Sequence, residues 1–162
     1  MTHKLLTALA VAVTLSASAA HAAGESPLQS FVDEVQTGIA TYYARKFEGR
    51  RTASGETFRN DALTAAHSSL PFGTMVLVTC AERGRSVLVR ITDRLPSKRA
   101  IIDLSQSAAA QLKMMTAGRT KVTVRVLSKD QAQALREAGK DAPLGLTAAT
   151  ELLATALGDD HR

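Results

Sequence analysis

Every second residue of Lys121-Val-Thr-Val-Arg-Val-Leu127 is apolar, the alternation of a strand with one buried face. Ser86-Val-Leu-Val-Arg-Ile91 repeats the pattern through Val87, Val89 and Ile91, while Met75 to Thr79 is apolar on both faces, as a central strand is. Glu82-Arg83-Gly84-Arg85 supplies a hairpin turn between these two. Shorter runs at Gly38 to Tyr43, Leu63 to Ala66 and Arg99 to Asp103 bring the expected strands to six within the 90 residues from 38 to 127. So many short strands expose many edges, and closing them into a barrel removes those edges. The expected fold class is therefore mainly β: a small six-stranded barrel with one short helix and a helical C-terminal tail.

The helix runs over Gln106 to Met115, with Ser105 as its N-cap and Gly118 as its stop. After Leu127 the composition turns to helix formers. Ser128 three residues before Gln131 forms a capping box, Gly139 a stop and Ala142-Pro143-Leu144-Gly145 a linker. Thr147 caps a last helix through Leu157, whose Ala149, Leu152, Leu153 and Leu157 share one apolar face. This extension, 128–162, is expected to dock on the barrel or on a protein partner.

At the other end, Lys4, the apolar run Leu5 to Leu15 and Ala20-His21-Ala22 have the order of a secretory signal peptide over residues 1–22. That run is too short to span a bilayer. Residues 23–37 then form an N-terminal linker, 38–127 the barrel domain, and the expected location is periplasmic or secreted. The only cysteine is Cys80, so no internal disulfide forms, and no cysteine follows Ala22 to carry a lipid, so no membrane anchor is expected. Cys80 itself is expected to be a small buried apolar group.

Charge is uneven: residues 38–127 carry 15 Lys and Arg against 6 Asp and Glu, and both flanks are mildly acidic. A basic module attracts polyanions, and export disfavours nucleic acid, which leaves anionic surfaces and carboxylate-bearing cell-wall polymers.

Thr52 to Thr74 fits neither period. Its 23 positions hold Thr52-Ala-Ser-Gly-Glu56, Thr64-Ala-Ala-His67 and Leu70-Pro-Phe-Gly-Thr74, and residues chosen against local periodicity usually serve a site. Two carboxylates at strand ends, Asp93 and Asp103, lie downstream. Asp103 sits between Ala100-Ile-Ile102 and Leu104, an apolar frame that raises a carboxyl pKa and makes it the better proton donor. Asp93 precedes Arg94 and has the setting of an ionised, orienting group. His67 could orient a carboxylate or donate to substrate, and Glu56 lies on a loop where it could face a groove. One His, one Cys and scattered acids make no metal site, and no cofactor is expected.

The array Gly38-Ile-Ala-Thr-Tyr-Tyr43, Thr52-Ala-Ser-Gly-Glu56, Leu63-Thr-Ala-Ala-His67, Leu70-Pro-Phe-Gly-Thr74, Asp93-Arg94 with Pro96, and Ile101-Ile-Asp-Leu-Ser105 resembles the rare lipoprotein A family over residues 38 to 127. The resemblance implies a double-psi beta-barrel related to expansins. It also implies an endolytic peptidoglycan lytic transglycosylase that cleaves glycan strands between N-acetylmuramic acid and N-acetylglucosamine and leaves 1,6-anhydro ends. On that pattern Glu56, His67 and Asp93 fall at functional positions and Asp103 resembles the aspartate that related barrels use as acid. Tyr43, Thr52, Ser54, Thr64 and Arg94 fall at positions implied to contact substrate.

Two departures stand out. Arg59 occupies a position where the family has an acid, with Asp61 nearby, and Asp93-Arg94-Leu95-Pro96-Ser97 replaces a glycine and an aromatic of the usual motif. The alternative to the enzyme is a non-catalytic, expansin-like barrel that grips cell-wall glycan without cutting it. The discriminating expectation is that an enzyme gathers Asp93, Asp103, Glu56 and His67 into one groove.

Overall fold

The structure, a computed structural model, describes residues 34–139 together with Gly145, Ala149 and Glu151. The expected signal peptide over 1–22 and most of the last expected helix lie outside the described residues, although Ala149 and Glu151 are helical. Six strands close into a barrel: β1 (Val35–Tyr42), β2 (Thr64–His67), β3 (Met75–Cys80), β4 (Arg85–Arg94), β5 (Ile102–Leu104) and β6 (Thr120–Val126). Around the barrel they run β1-β5-β2-β4-β3-β6, with β1 parallel to β5 and β2 parallel to β4, the interleaved pairs of a double-psi barrel.

The interior is built by the expected alternation. Val87, Val89 and Ile91 of β4 meet Val76 and Val78 of β3, Val122, Val124 and Val126 of β6, and Ile102 and Leu104 of β5 in one buried cluster. Cys80 is fully buried in that cluster, as expected of a small apolar group. The hairpin between β3 and β4 turns on a single 3-10 turn, Ala81–Arg83, and closes at Gly84, whose φ of 58° is left-handed.

Several boundaries differ from expectation, among them that of β4, which runs on to Arg94 past the expected end at Ile91. β1 begins at Val35 instead of Gly38, because its ladder with β6 continues to the pair Val35 and Arg125. β5 covers only Ile102–Leu104, not Arg99 to Asp103, because its ladder to β1 holds three pairs. Helix α1 (Gln106–Gln111) stops four residues before Met115. There Lys113 takes φ 55°, its N–H donates to the Ala110 carbonyl at 2.9 Å, and Met114 N–H donates to the Ala109 carbonyl at 3.0 Å. That is a Schellman stop with a lysine in the position glycine usually fills. Fully buried Met114 is its apolar anchor.

Two of the three expected N-caps form, and the third, Thr147, lies outside the described residues. Ser105 Oγ accepts from Ala108 N–H at the start of α1, and Ser128 with Gln131 makes the reciprocal capping box of α2 (Lys129–Ala138). Leu135 and Ala132 of α2 pack with Leu77, Leu88, Leu127 and Ala149 on the outer face of β3 and β4. The first helix of the C-terminal extension thus packs on the barrel.

Candidate active site

Four strands set one row of side chains across the barrel wall. Thr41 of β1 pairs with Asp103 of β5, Asp103 pairs with Ala66 of β2, and Ala66 pairs with Asp93 of β4. Neighbouring strands lie about 4.8 Å apart, so the two aspartate backbones are roughly 10 Å apart with one methyl group between them. The small side chain of Ala66 leaves a floor where a larger one would fill the space.

A bulge places Asp93 in this row. Simple alternation from Val87, Val89 and Ile91 would send Asp93 into the barrel interior. The register of β4 against β2 instead moves from Ile91 at Ala65 to Asp93 at Ala66, which makes Thr92 the extra residue. One inserted residue re-aims the carboxylate to the outside.

Above this floor lies a groove of about 450 Å³ that contains both aspartates, Tyr43, Phe47 and Phe58, with Leu95 and Pro96 beyond them. Tyr43 packs on Phe58 at 4.3 Å and edge-on to Phe47 at 5.6 Å, giving an aromatic wall. Its hydroxyl donates to Asp93 Oδ2 at 2.7 Å. Burial, followed by that hydrogen bond and the Asp93 charge, raises the Tyr43 phenol far above its ordinary range.

The two aspartates differ in their partners. Asp93 accepts from three donors: Tyr43 Oη, Ala53 N–H and its neighbour Arg94 N–H, the last two both at 2.8 Å to Oδ1. Asp103 accepts one, from Thr41 Oγ1 at 2.9 Å to Oδ1, and no described residue donates to its Oδ2. Burial pushes the Asp103 carboxyl above the usual range; the Thr41 hydrogen bond opposes this and the Asp93 charge adds to it.

The Ala53 donor comes from the Thr52–Glu56 turn. Gly55, at φ 89°, closes this turn with its N–H on the Thr52 carbonyl, and Thr52 N–H returns to the Glu56 carbonyl at 2.8 Å. Ser54 N–H donates to the carbonyl of the bulge residue Thr92 at 3.2 Å, tying turn to bulge. Glu56 does not enter the groove. Its carboxylate takes a bidentate contact from Arg90 at 2.6 and 2.8 Å, on the outside of β4. The Arg90 hydrogen bonds are the main cause that lowers the Glu56 pKa.

His67 also lies outside the groove, because alternation along β2 turns it away from Ala66. Its side chain is buried, Nδ1 accepts from Ser69 and Leu70 N–H at 3.3 and 3.2 Å, and Nε2 lies 3.1 Å from Gln36 Oε1. With Nδ1 occupied as an acceptor, the proton belongs on Nε2, which donates to Gln36. Burial lowers its pKa, which favours the neutral ring.

The expectation of a single groove for Asp93, Asp103, Glu56 and His67 is therefore met by the two aspartates only. Of the residues expected to contact substrate, Tyr43 and Arg94 line the groove. Thr52 and Ser54 share a hydroxyl contact of 3.0 Å within the turn, and Thr64 faces a different cavity, of about 300 Å³, near Arg90 and Leu135. Arg94 stacks 3.8 Å over Phe72 and donates to the Leu70 carbonyl at 2.8 Å. Sequence reasoning missed Thr41, Phe47, Phe58, Arg50 and Arg51. The signal available was two phenylalanines and two adjacent arginines in a stretch with no strand or helix period. Arg59, at the family's acidic position, forms a two-point pair with Asp61 at 3.0 and 2.8 Å, and both are exposed.

A mainly β barrel of six strands with two parallel pairs and a carboxylate-lined groove defines the double-psi class. The family described as lytic transglycolase matches residues 35–124, and the chain belongs to that family. A relative from Nostoc sp. named as a probable endolytic peptidoglycan transglycosylase RlpA is 53% identical over 95 residues, covering 57% of this chain and 26% of the relative. One from Neisseria meningitidis serogroup B, named as an endolytic peptidoglycan transglycosylase RlpA, is 38% identical over 146 residues, covering 84% of this chain and 61% of its own length. The chain thus spans about a quarter of the first and 61% of the second. Among solved structures, the Streptomyces papain inhibitor superposes with a TM-score of 0.50 at 27% identity, covering 60% of this chain and 97% of that one. One barrel thus occurs in proteins with different activities, and function must be argued from the groove.

Proposed function

We propose that the domain is an exported endolytic peptidoglycan lytic transglycosylase with Asp103 as its single acid/base. The observation that carries this is the contrast between the two aspartates. Asp103 is a half-buried carboxyl that lines the groove with one oxygen to which no described residue donates, and burial favours its protonated form. Asp93 accepts three hydrogen bonds that hold its carboxylate in one orientation.

In this mechanism the Asp103 carboxyl gives its proton to the glycosidic oxygen that leaves with N-acetylglucosamine. Positive charge develops at the anomeric carbon of the muramic acid, and the fixed Asp93 anion, held by Tyr43 and Ala53, stabilises it electrostatically. The C6 hydroxyl of the same sugar then attacks that carbon, and Asp103, now a carboxylate, takes the hydroxyl proton. One bond breaks, one forms, the proton inventory is restored, and the product ends in a 1,6-anhydro ring. No water enters, so one acid/base suffices where hydrolysis would need a second group to handle water. Glu56 and His67 act in this scheme through position: Glu56 anchors the turn that presents Ala53 to Asp93, and His67 holds the end of β2.

Digestion of purified peptidoglycan followed by mass spectrometry tests the proposal. Anhydro-muramic ends are expected; new reducing ends would mean hydrolysis instead. The exposed Arg59–Asp61 pair favours the second function, a barrel that binds glycan without cutting it, since it takes both side chains out of any catalytic role. Binding to sacculi with no product of either kind would establish that alternative.

A further inference from the structure

Two guanidinium groups, Arg50 and Arg51, line the groove beside the aspartates, and neither has an acidic partner among the described residues. Both stand on a small ribbon over the groove. Phe58 N–H donates to the Arg50 carbonyl at 2.7 Å, and Arg51 bridges Thr57 in antiparallel pairing. Their side chains are also held. Arg51 Nη1 donates to the Gly55 carbonyl at 3.0 Å, which leaves its remaining N–H groups unused, and the Arg50 guanidinium lies 5.6 Å from the Phe47 ring centre.

These arginines do not serve the aspartates. The oxygens of Asp93 are taken by Tyr43, Ala53 and Arg94. No arginine contributes to the shift of the Asp103 carboxyl. A groove for a neutral polysaccharide has its aromatic wall and needs no fixed cations. A groove for an anionic glycan must offset the repulsion from its own two acids, and a planar guanidinium meets a carboxylate at two points.

We propose that Arg50 and Arg51 form a carboxylate-reading subsite that selects glycans bearing an acidic substituent next to the scissile bond. This rests on the proposed function, since it concerns the same groove. In peptidoglycan that carboxylate belongs either to the lactyl arm of muramic acid, where it is free, or to the peptide attached to that arm.

The test uses the full chain and three substrates: peptide-bearing peptidoglycan, glycan stripped of its peptides, and stripped glycan whose carboxyls are converted to neutral amides. For the wild-type protein, amidation is expected to lower kcat/KM by about tenfold or more, the scale of one lost charge-assisted hydrogen bond. The Arg50→Gln/Arg51→Gln double variant should act on stripped and amidated glycan equally, at the wild-type protein's amidated rate. Faster cleavage of stripped than of peptide-bearing glycan assigns the carboxylate to the lactyl arm, and the opposite order assigns it to the peptide. Equal wild-type rates on all three substrates would overturn the subsite, as would a double variant that still discriminates between them. Binding of Asp103→Asn to stripped and amidated glycan is measured in parallel. A preference there with no cleavage by the wild type would sink the enzyme and keep the subsite; cleavage without preference would do the reverse.

Discussion

The groove and the network around it use the same residue types to opposite ends. In the groove, Asp103 is half-buried with a single hydrogen-bond partner, and its proton is held more tightly than usual. Just outside, Glu56 is 46% exposed by side chain, meets Arg90 at two points and holds its proton less tightly. His67, behind the same strand segment, is buried with both ring nitrogens engaged. On the proposed function, the difference teaches that reactivity follows unmet hydrogen-bonding capacity combined with burial. A side chain whose partners are all supplied by the protein has nothing left to offer a substrate.

After Asp103 itself, the largest effect expected from breaking this contrast is at Asp93. In Asp93→Asn one amide NH2 must face a donor, either Tyr43 Oη or a backbone N–H, so the anion and its geometry are both lost. Turnover should fall by about 100-fold, the scale of a lost preorganised electrostatic contact. Denaturant unfolding should show a loss of about 1 to 3 kcal/mol for the unsatisfied donors. Full activity in this variant would remove Asp93 from the mechanism.

Next comes His67. His67→Ala strands the Ser69 and Leu70 amides and Gln36, and should lower stability by about 1 to 3 kcal/mol while leaving the pH dependence of kcat in place. Because burial depresses the folded pKa of His67, its contribution to wild-type stability is present above the unfolded value of about 6.5 and is lost as pH falls through the folded value. Chemical denaturation across that window should show the decline in the wild type and not in His67→Ala. A displaced kcat–pH profile would instead put the imidazole in the chemistry.

A smaller effect is expected at Thr41, whose hydroxyl stabilises the ionised form of Asp103. The general acid must be protonated, so activity falls as pH rises through its pKa. Removing the hydroxyl in Thr41→Val should move that fall to higher pH, and a shift to lower pH would exclude Asp103 as the acid.

Much of the fold was legible because it rests on period. The alternation in β4 and β6 named the interior residues, and Ser105 and Ser128 named two helix starts. The end of α1 was not legible, since Lys113 carries no sign of a left-handed residue and the stop depends on burying Met114. In the site, the apolar frame of Asp103 pointed to its raised pKa. The place of Asp93 depends on the bulge at Thr92, which alternation alone hides. Glu56 looked free because its partner, Arg90, lies 34 residues away in the chain and reaches it only after β4 has folded beside the turn. Pairings across that distance have no local signature.

The most direct measurement compares Asp103→Asn with Glu56→Gln for the rate of anhydro-muramic ends formed from purified peptidoglycan. Both variants should fold at neutral pH. Ionising a half-buried Asp103 opposes folding, because a raised folded pKa gives stability below the unfolded value that is lost as pH rises. The exposed Glu56–Arg90 pair contributes at most about 1 kcal/mol. Asp103→Asn is expected to lose about 100- to 10,000-fold in rate, the range of a missing general acid, and Glu56→Gln no more than about tenfold. The reverse order, with Glu56→Gln inactive and Asp103→Asn near the wild-type rate, would contradict the assignment of Asp103 as the acid/base.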